Sequence, residues 1–193
     1  DITMRIGTSH GTYAYAGEVE AIYARMRAHG YTAADHNLSD TNEPWYSDMA
    51  ELERYCDRVR KAAEVNEMLI SQIHGPWPTD DKTPENRTQI REWMRRAVYA
   101  CGRMGSRHMV LHPVMPYGWG KEDDADFAEQ CTVELLTYLI PECEKDGVIV
   151  CLENMPMTAH RISRIPMIVR AVEKVNSPYV GICLDTGHCN VFG

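Results

Sequence analysis

Four apolar runs of the chain each end in a residue that can bind a metal or move a proton. SQIH ends at His74, MVLH at His112, VCLE at Glu153 and ICLD at Asp185, with His188 three residues farther on. Imidazole and carboxylate together are the ligands of borderline divalent metals such as zinc, manganese or cobalt. The same groups act as general acids and bases. The repeated pattern therefore predicts a shared metal or catalytic site.

The elements that must position these residues alternate along the chain. Apolar runs predict six strands, at 2–8, 31–36, 68–74, 108–111, 147–152 and 179–184. Amphipathic periodicity predicts five helices between them, at 16–29, 47–66, 87–104, 125–145 and 161–176, with a break or restart at Pro166 and a helix end at Gly105. The continuous runs at 148–152 and 180–184 are typical of parallel strands buried on both faces. The sequence thus predicts an α/β fold, either an open doubly wound sheet or a closed barrel.

In parallel α/β folds the carboxyl ends of neighbouring strands share one face, so their terminal side chains converge there. The two weaker N-terminal runs follow the same rule, with His10 after the first and Asp35 and His36 after the second. Each residue taken alone has a structural explanation. A histidine after a strand is often a turn residue, Glu153 would serve in a rim salt bridge, and Asp185 in an N-cap or Asx-turn. Separate caps need not all be histidine or carboxylate at one place, so the set favours a common site.

Composition narrows the class of protein. The chain has 193 residues, is 44% hydrophobic and carries a formal net charge of −8. No apolar run approaches the roughly 18–20 residues of a membrane span, and we expect no membrane partner. The acidic balance disfavours nucleic acid and favours a small-molecule partner. Seven scattered cysteines without a CxxC pair indicate reduced thiols, and we expect a cytoplasmic protein.

The segments IHGPWP, VLHP, VIVCLENMP and VGICLDTGH resemble the xylose-isomerase-like TIM barrels, from about residue 68 to the end. That superfamily contains sugar and sugar-phosphate isomerases and epimerases, and the endonuclease IV type of apurinic nuclease. The resemblance implies a (β/α)8-type barrel in which Glu153 and Asp185 bind the metal and Glu153 also exchanges a proton. His188 would hold the substrate in an isomerase, or a further zinc in a nuclease. His74 and His112 match additional zinc ligands of the nucleases and pocket-lining positions of the isomerases.

The whole chain, 1–193, is predicted to be a single barrel domain truncated after its sixth strand. A full barrel has eight strands and typically about 250 residues, so we expect a complete protein of roughly 250–280 residues. A histidine of the seventh strand and a glutamate of the eighth, both ligands in the family, have no counterpart here. Unpaired edges of the first and sixth strands favour self-association, and with it a homo-oligomer.

The expected function is that of a metal-dependent sugar or sugar-phosphate isomerase or epimerase, which transfers a proton through an enediolate. A divalent metal (Mn, Zn, Co or Mg) would grip a sugar or hydroxy-ketone substrate, with Glu153 as the base and His188 on a substrate hydroxyl. Trp77 and Trp119, with Tyr117, would form an apolar wall on the loops above. One alternative is a zinc-dependent apurinic endonuclease that uses the same residues, although loop 112–124 carries one Lys against three acidic residues. The other is a non-catalytic sugar- or metal-binding barrel fragment.

Overall fold

The computed structural model describes residues 4–77, 79, 83–118 and 124–192. Within these residues the strands are β1 (Gly7–Ser9), β2 (Ala33–Asn37), β3 (Leu69–His74), β4 (His108–Leu111), β5 (Ile149–Glu153) and β6 (Val180–Cys183). The α-helices are α1 (Val19–Ala28), α2 (Met49–Val65), α3 (Pro84–Arg103), α4 (Ala125–Asp146), α5 (Ile165–Val175) and α6 (Thr186–Asn190). No helix in this part of the chain is both long and apolar enough to cross a membrane.

All six described strands form one parallel sheet, in the order β1-β2-β3-β4-β5-β6. Consecutive order is the arrangement of barrel strands, whereas a doubly wound sheet reverses its order at a switch point. Of the two predicted architectures, the barrel type is therefore the one observed. Among the described residues, β1 and β6 are the edges of the sheet, each paired with one neighbour.

Helix boundaries follow from local capping chemistry. The third helix begins at Pro84, three residues before its predicted start, because the Thr83 side chain accepts a hydrogen bond from Asn86 N and Pro84 suits the first turn. The predicted helix 161–176 is divided into a 3₁₀ turn, Arg161–Ser163, and α5. The restart expected at Pro166 is confirmed, since proline is tolerated in the first turn of α5.

The core lies between the sheet and its helices. On β5, Val150 and Leu152 face this layer and are fully buried, whereas Ile149 and Cys151 on the opposite face are half-buried. On β6 the side chain of Ile182 is 42% exposed. The prediction that both faces of these two strands are buried is therefore wrong for the described chain. The more open face is the one on which β5 presents Glu153.

Candidate metal centre

The carboxyl ends of four strands bring the sequence-predicted candidates into one pocket of about 400 Å³. Its lining includes the six described candidates, namely His74, Trp77, His112, Glu153, Asp185 and His188. Each histidine or carboxylate stands at, or within five residues beyond, the end of its strand. The expected convergence therefore occurs. Trp119, predicted to join the apolar wall, lies outside the described residues.

Glu153 is the centre of the cluster. Its side chain is 5% exposed, and its Oε2 lies 3.0 Å from His112 Nε2 and 3.5 Å from His74 Nε2. Neither contact has the alignment of a hydrogen bond, so Oε2 is a buried carboxylate oxygen without a hydrogen-bond partner in the described chain. Buried polar atoms are rarely left in this state without a reason. Two imidazole nitrogens around a bare carboxylate oxygen are a donor set that fits a divalent cation.

Two groups of three residues place candidate ligand atoms close together. The first is His74, His112 and Glu153, and the second is Glu153, Asp185 and His188. Within each group the ligand atoms all lie within 4.8 Å of one another. Both groups contain Glu153, so its carboxylate is the candidate ligand that they share.

The charges of this cluster are coupled. Burial raises the pKa of Glu153, but the contacts with His112 and His74 outweigh burial and lower that pKa to about 2. Burial lowers the pKa of His74, while the neighbouring carboxylates of Asp35 and Glu153 raise it to about 9. Glu153 is therefore ionised at neutral pH. A metal bound by His74 would displace the proton that the imidazole otherwise holds.

The two carboxylate oxygens of Asp185 have different surroundings. Its Oδ1 accepts a hydrogen bond of 2.7 Å from His188 N and caps α6, a short helix that the sequence did not predict. Its Oδ2 lies 3.7 Å from His188 Nδ1, and Asp185 lines the pocket. His188 Nδ1 lies 2.8 Å from the carbonyl oxygen of Asn154. Since a carbonyl oxygen only accepts, Nδ1 carries the hydrogen and Nε2 is left for a ligand or substrate.

Two residues at the site had no assigned role from the sequence. Asn154 is buried, donates through Nδ2 to Asp185 O at 2.9 Å and accepts through Oδ1 from Asp185 N at 2.8 Å. It thereby ties the end of β5 to the end of β6. Asp35 Oδ2 lies 3.2 Å from His74 Nδ1. The signal for Asp35 was present, since it is an acid at a strand end like the others, whereas nothing in the pattern marked Asn154.

Of the aromatic residues and histidines near the site, some line the pocket and others lie in the core. The Trp77 ring stands nearly perpendicular to His112, with centroids 4.8 Å apart. Tyr117 packs near Phe127, at a centroid distance of 6.3 Å, and is not among the described residues that line the pocket. His36 lies within β2, fully buried between the hydroxyls of Tyr23 and Tyr55, so it is a core residue and not the turn residue that the sequence allowed.

Comparison with known sequences gives a family and a relative. A family model described as xylose isomerase-like TIM barrel matches residues 23–193. A curated relative from Mycoplasma mobile, named probable endonuclease 4, is 24% identical over 159 residues, which are 82% of this chain and 52% of the relative. The chain thus spans about half the length of this curated relative.

Comparison with solved structures gives the fold. A D-tagatose 3-epimerase-like protein superposes with a TM-score of 0.78 at 19% identity, covering 98% of this chain and 68% of the other. The IolI protein, solved with a zinc atom, superposes with a TM-score of 0.74 at 15% identity, covering 96% and 64%. At such identities the likeness establishes a shared fold, and function has to be argued from the site.

Proposed function

We propose that this chain, which belongs to the xylose isomerase-like TIM barrel family, holds a divalent metal and isomerises or epimerises a sugar or a related hydroxy-ketone. The observation that carries the proposal is the buried Oε2 of Glu153, which faces two imidazole nitrogens and has no hydrogen-bond partner in the described chain. The zinc atom in the IolI protein and the sugar epimerase among the fold relatives support it.

His74, His112, Glu153 and Asp185 would hold the metal. Mixed nitrogen and oxygen donors suit zinc, manganese or cobalt better than magnesium, which prefers oxygen. When bound, such an ion polarises a substrate carbonyl and stabilises the negative charge that develops on its oxygen.

The protein's own groups would perform the proton transfer. Glu153 would be the base, because a carboxylate can take a proton from the carbon beside the carbonyl and deliver it to the neighbouring carbon. His188 offers Nε2 to a substrate hydroxyl while the carbonyl oxygen of Asn154 fixes the ring. Trp77 and the segment 155–157 form an apolar side of the pocket, which limits water around the reacting carbon.

The pocket also favours an uncharged substrate over a phosphate backbone. Asn37 and Ser39 supply polar groups for hydroxyls, and the described lining contains neither Lys nor Arg. Proteins that bind nucleic acid neutralise phosphates with these cations. A small sugar is therefore the proposed partner.

A zinc-dependent apurinic endonuclease is the second candidate. The curated relative is named probable endonuclease 4, and the two ligand groups share Glu153. A carboxylate shared by two metal positions would suit the paired-metal clamp used in phosphodiester hydrolysis.

Hydrogen exchange separates the candidates. The protein, loaded with manganese, cobalt or zinc, is incubated in deuterated water with a panel of ketoses and hydroxy-ketones, and substrates are examined by NMR. We expect deuterium at the carbon beside the carbonyl, its loss in Glu153→Gln, and its retention in Glu173→Gln, which changes an exposed carboxylate on α5. No exchange together with cleavage of abasic duplex DNA would assign the site to the nuclease. Metal binding with neither reaction would leave a non-catalytic barrel.

A further inference from the structure

We propose that Asp35 is a positioning residue that fixes His74 as a metal ligand, an inference that rests on the metal site proposed above. Asp35 Oδ2 lies 3.2 Å and Oδ1 3.4 Å from His74 Nδ1. Nε2 of the same ring lies 3.5 Å from Glu153 Oε2. One imidazole is thus held between two carboxylates, one on each nitrogen.

The chemistry of the pair determines the tautomer. An ionised carboxylate only accepts hydrogen bonds, so His74 Nδ1 carries the hydrogen that faces Asp35. The neutral ring then has its lone pair on Nε2, the atom that points to Glu153. Histidine ligands of metals are oriented in this way by a carboxylate on the far nitrogen. His112 differs, because its Nδ1 is buried and has no hydrogen-bond partner among the described residues.

A bulge between two strands makes the contact possible. The β2–β3 register shifts between Ala34 and Asp35, so Ser71 of β3 has no partner in β2 and Asp35 lies opposite Gln72. The Ser71 hydroxyl donates a hydrogen bond of 2.9 Å to the carbonyl oxygen of Ala34, so this oxygen has a partner at the point where the register shifts. Side chains alternate between faces, so a one-residue offset exchanges the faces. With the offset, Asp35 and His74 share a face; in a regular pairing they would lie on opposite faces.

The position of Asp35 is that of a residue that orients His74, and not that of a metal ligand. Asp35 belongs to neither group of candidate ligands, both of which centre on Glu153. His74 lines the pocket, whereas Asp35, whose side chain is 21% exposed, is not among the described lining residues and lies behind the His74 ring. Asp35 therefore acts on the metal through the ring of His74.

The test combines zinc affinity with ring spectroscopy in the wild-type chain, Asp35→Asn and Asp35→Ala. Asp40→Asn is the matched control, since it makes the same change five residues on at an exposed position. Zinc binding is measured by calorimetry, and the His74 ring is observed in ¹H–¹⁵N spectra, assigned by its absence in His74→Gln. We expect both Asp35 variants to bind zinc about 10–100-fold more weakly. We also expect Asp35→Ala, which removes the acceptor, to lose an exchange-protected Nδ1–H signal that wild type and Asp40→Asn retain.

The outcomes distinguish this inference from the function on which it rests. Equal zinc affinity in wild type and Asp35→Ala, with an unchanged His74 signal, would reject the role of Asp35 and leave the metal site standing. Zinc on Nδ1 of His74 in the loaded wild type would reject it as well, and this spectrum decides the matter even if the variants do not fold. A wild-type chain that binds no zinc would overturn the metal site and this inference together.

Discussion

Replacing Asn154 with alanine should loosen the joint between β5 and β6 and displace Asp185 from the pocket. Asn154 makes two side-chain hydrogen bonds to the backbone of Asp185, one to each of its polar groups, at 2.9 and 2.8 Å. Alanine removes both. The side chain is buried, so water cannot replace these bonds without opening the structure at this point.

The magnitude follows from the two bonds and from what they leave unpaired. Each bond contributes about 1 kcal/mol net, and a buried group left without a partner costs about 1–3 kcal/mol more. Asp185 is half-buried, so water can reach part of its backbone, and we expect a loss of about 2–3 kcal/mol in the free energy of unfolding. For a chain of this size that lowers Tm by about 4–12 °C.

The assay is urea denaturation of the wild type and Asn154→Ala, with zinc affinity measured in parallel. Asn66→Ala is the control, because Asn66 Nδ2 donates one bond of 2.8 Å to Ala62 O at the end of α2, remote from the pocket. We expect the control to lose about 1 kcal/mol and to keep its zinc affinity. If Asn154→Ala lowers the free energy of unfolding by less than about 0.5 kcal/mol, or leaves zinc affinity unchanged, Asn154 does not hold Asp185 in place at the end of β6.

Three other changes test the scaffold. Gly102→Ala in α3 should destabilise by about 1–3 kcal/mol, although alanine normally favours a helix, because its Cβ would lie 3.0 Å from Asp146 O. Glu129→Gln should lower the free energy of unfolding by about 1–3 kcal/mol, because the buried Glu129 carboxylate accepts a hydrogen bond from Arg170 Nε at 2.8 Å. The loss is no larger because Arg170 is half-exposed, so water still solvates its charge when the ion pair is broken. Burial holds the pKa of His36 well below 6.5, so below that pH the unfolded chain binds a proton that the folded chain does not. Stability should therefore fall by about 1.4 kcal/mol per pH unit as pH drops below about 6.5.

Denaturation midpoints measure the first two changes, and a series from pH 7.5 to 5 measures the third. An unchanged or higher stability in Gly102→Ala would show that α3 and the carbonyl oxygen of Asp146 can separate freely. No loss in Glu129→Gln would mean that this ion pair contributes nothing to the packing of α4 on α5. For His36, the control is His36→Gln. Below about pH 6.5 its free energy of unfolding should fall with pH less steeply than that of the wild type, by about 1.4 kcal/mol per pH unit. Equal slopes in the two proteins would assign the effect to other groups.

The carboxyl ends of β2 to β6 were predicted to within one residue, because each of these strands is signalled by its own residues. The first prediction, 2–8, is wrong for residues 4–6, since β1 is Gly7–Ser9. The run that ends in Glu153 is apolar for five residues before the charge, so both the strand and its end were visible. Short-range signals also placed the restart at Pro166 correctly. The α6 helix was missed because it is a single turn after Asp185, too short for a periodic pattern.

The bulge between β2 and β3 could not be predicted, because register belongs to a pair of strands. Neither the sequence around Ala34 nor that around Ser71 contains a glycine or proline that would mark an irregularity. The contact between Asp35 and His74 depends on that offset, so the pattern named both residues but not their relationship.

Asp185 shows why a structural role and a functional role need not compete. The sequence allowed either an N-cap or a metal ligand, and these were weighed as alternatives. A carboxylate has two oxygens, and here Oδ1 caps α6 while Oδ2 lies 3.7 Å from His188 Nδ1 and is the oxygen left for a ligand role. Capping also fixes the side-chain torsions, which reduces the entropy that a ligand would otherwise lose on binding a metal. In this arrangement the cap prepares the carboxylate for the ligand role that we propose. The same reasoning applies to His188, whose Nδ1 contact with Asn154 holds the ring so that Nε2 is the nitrogen left available.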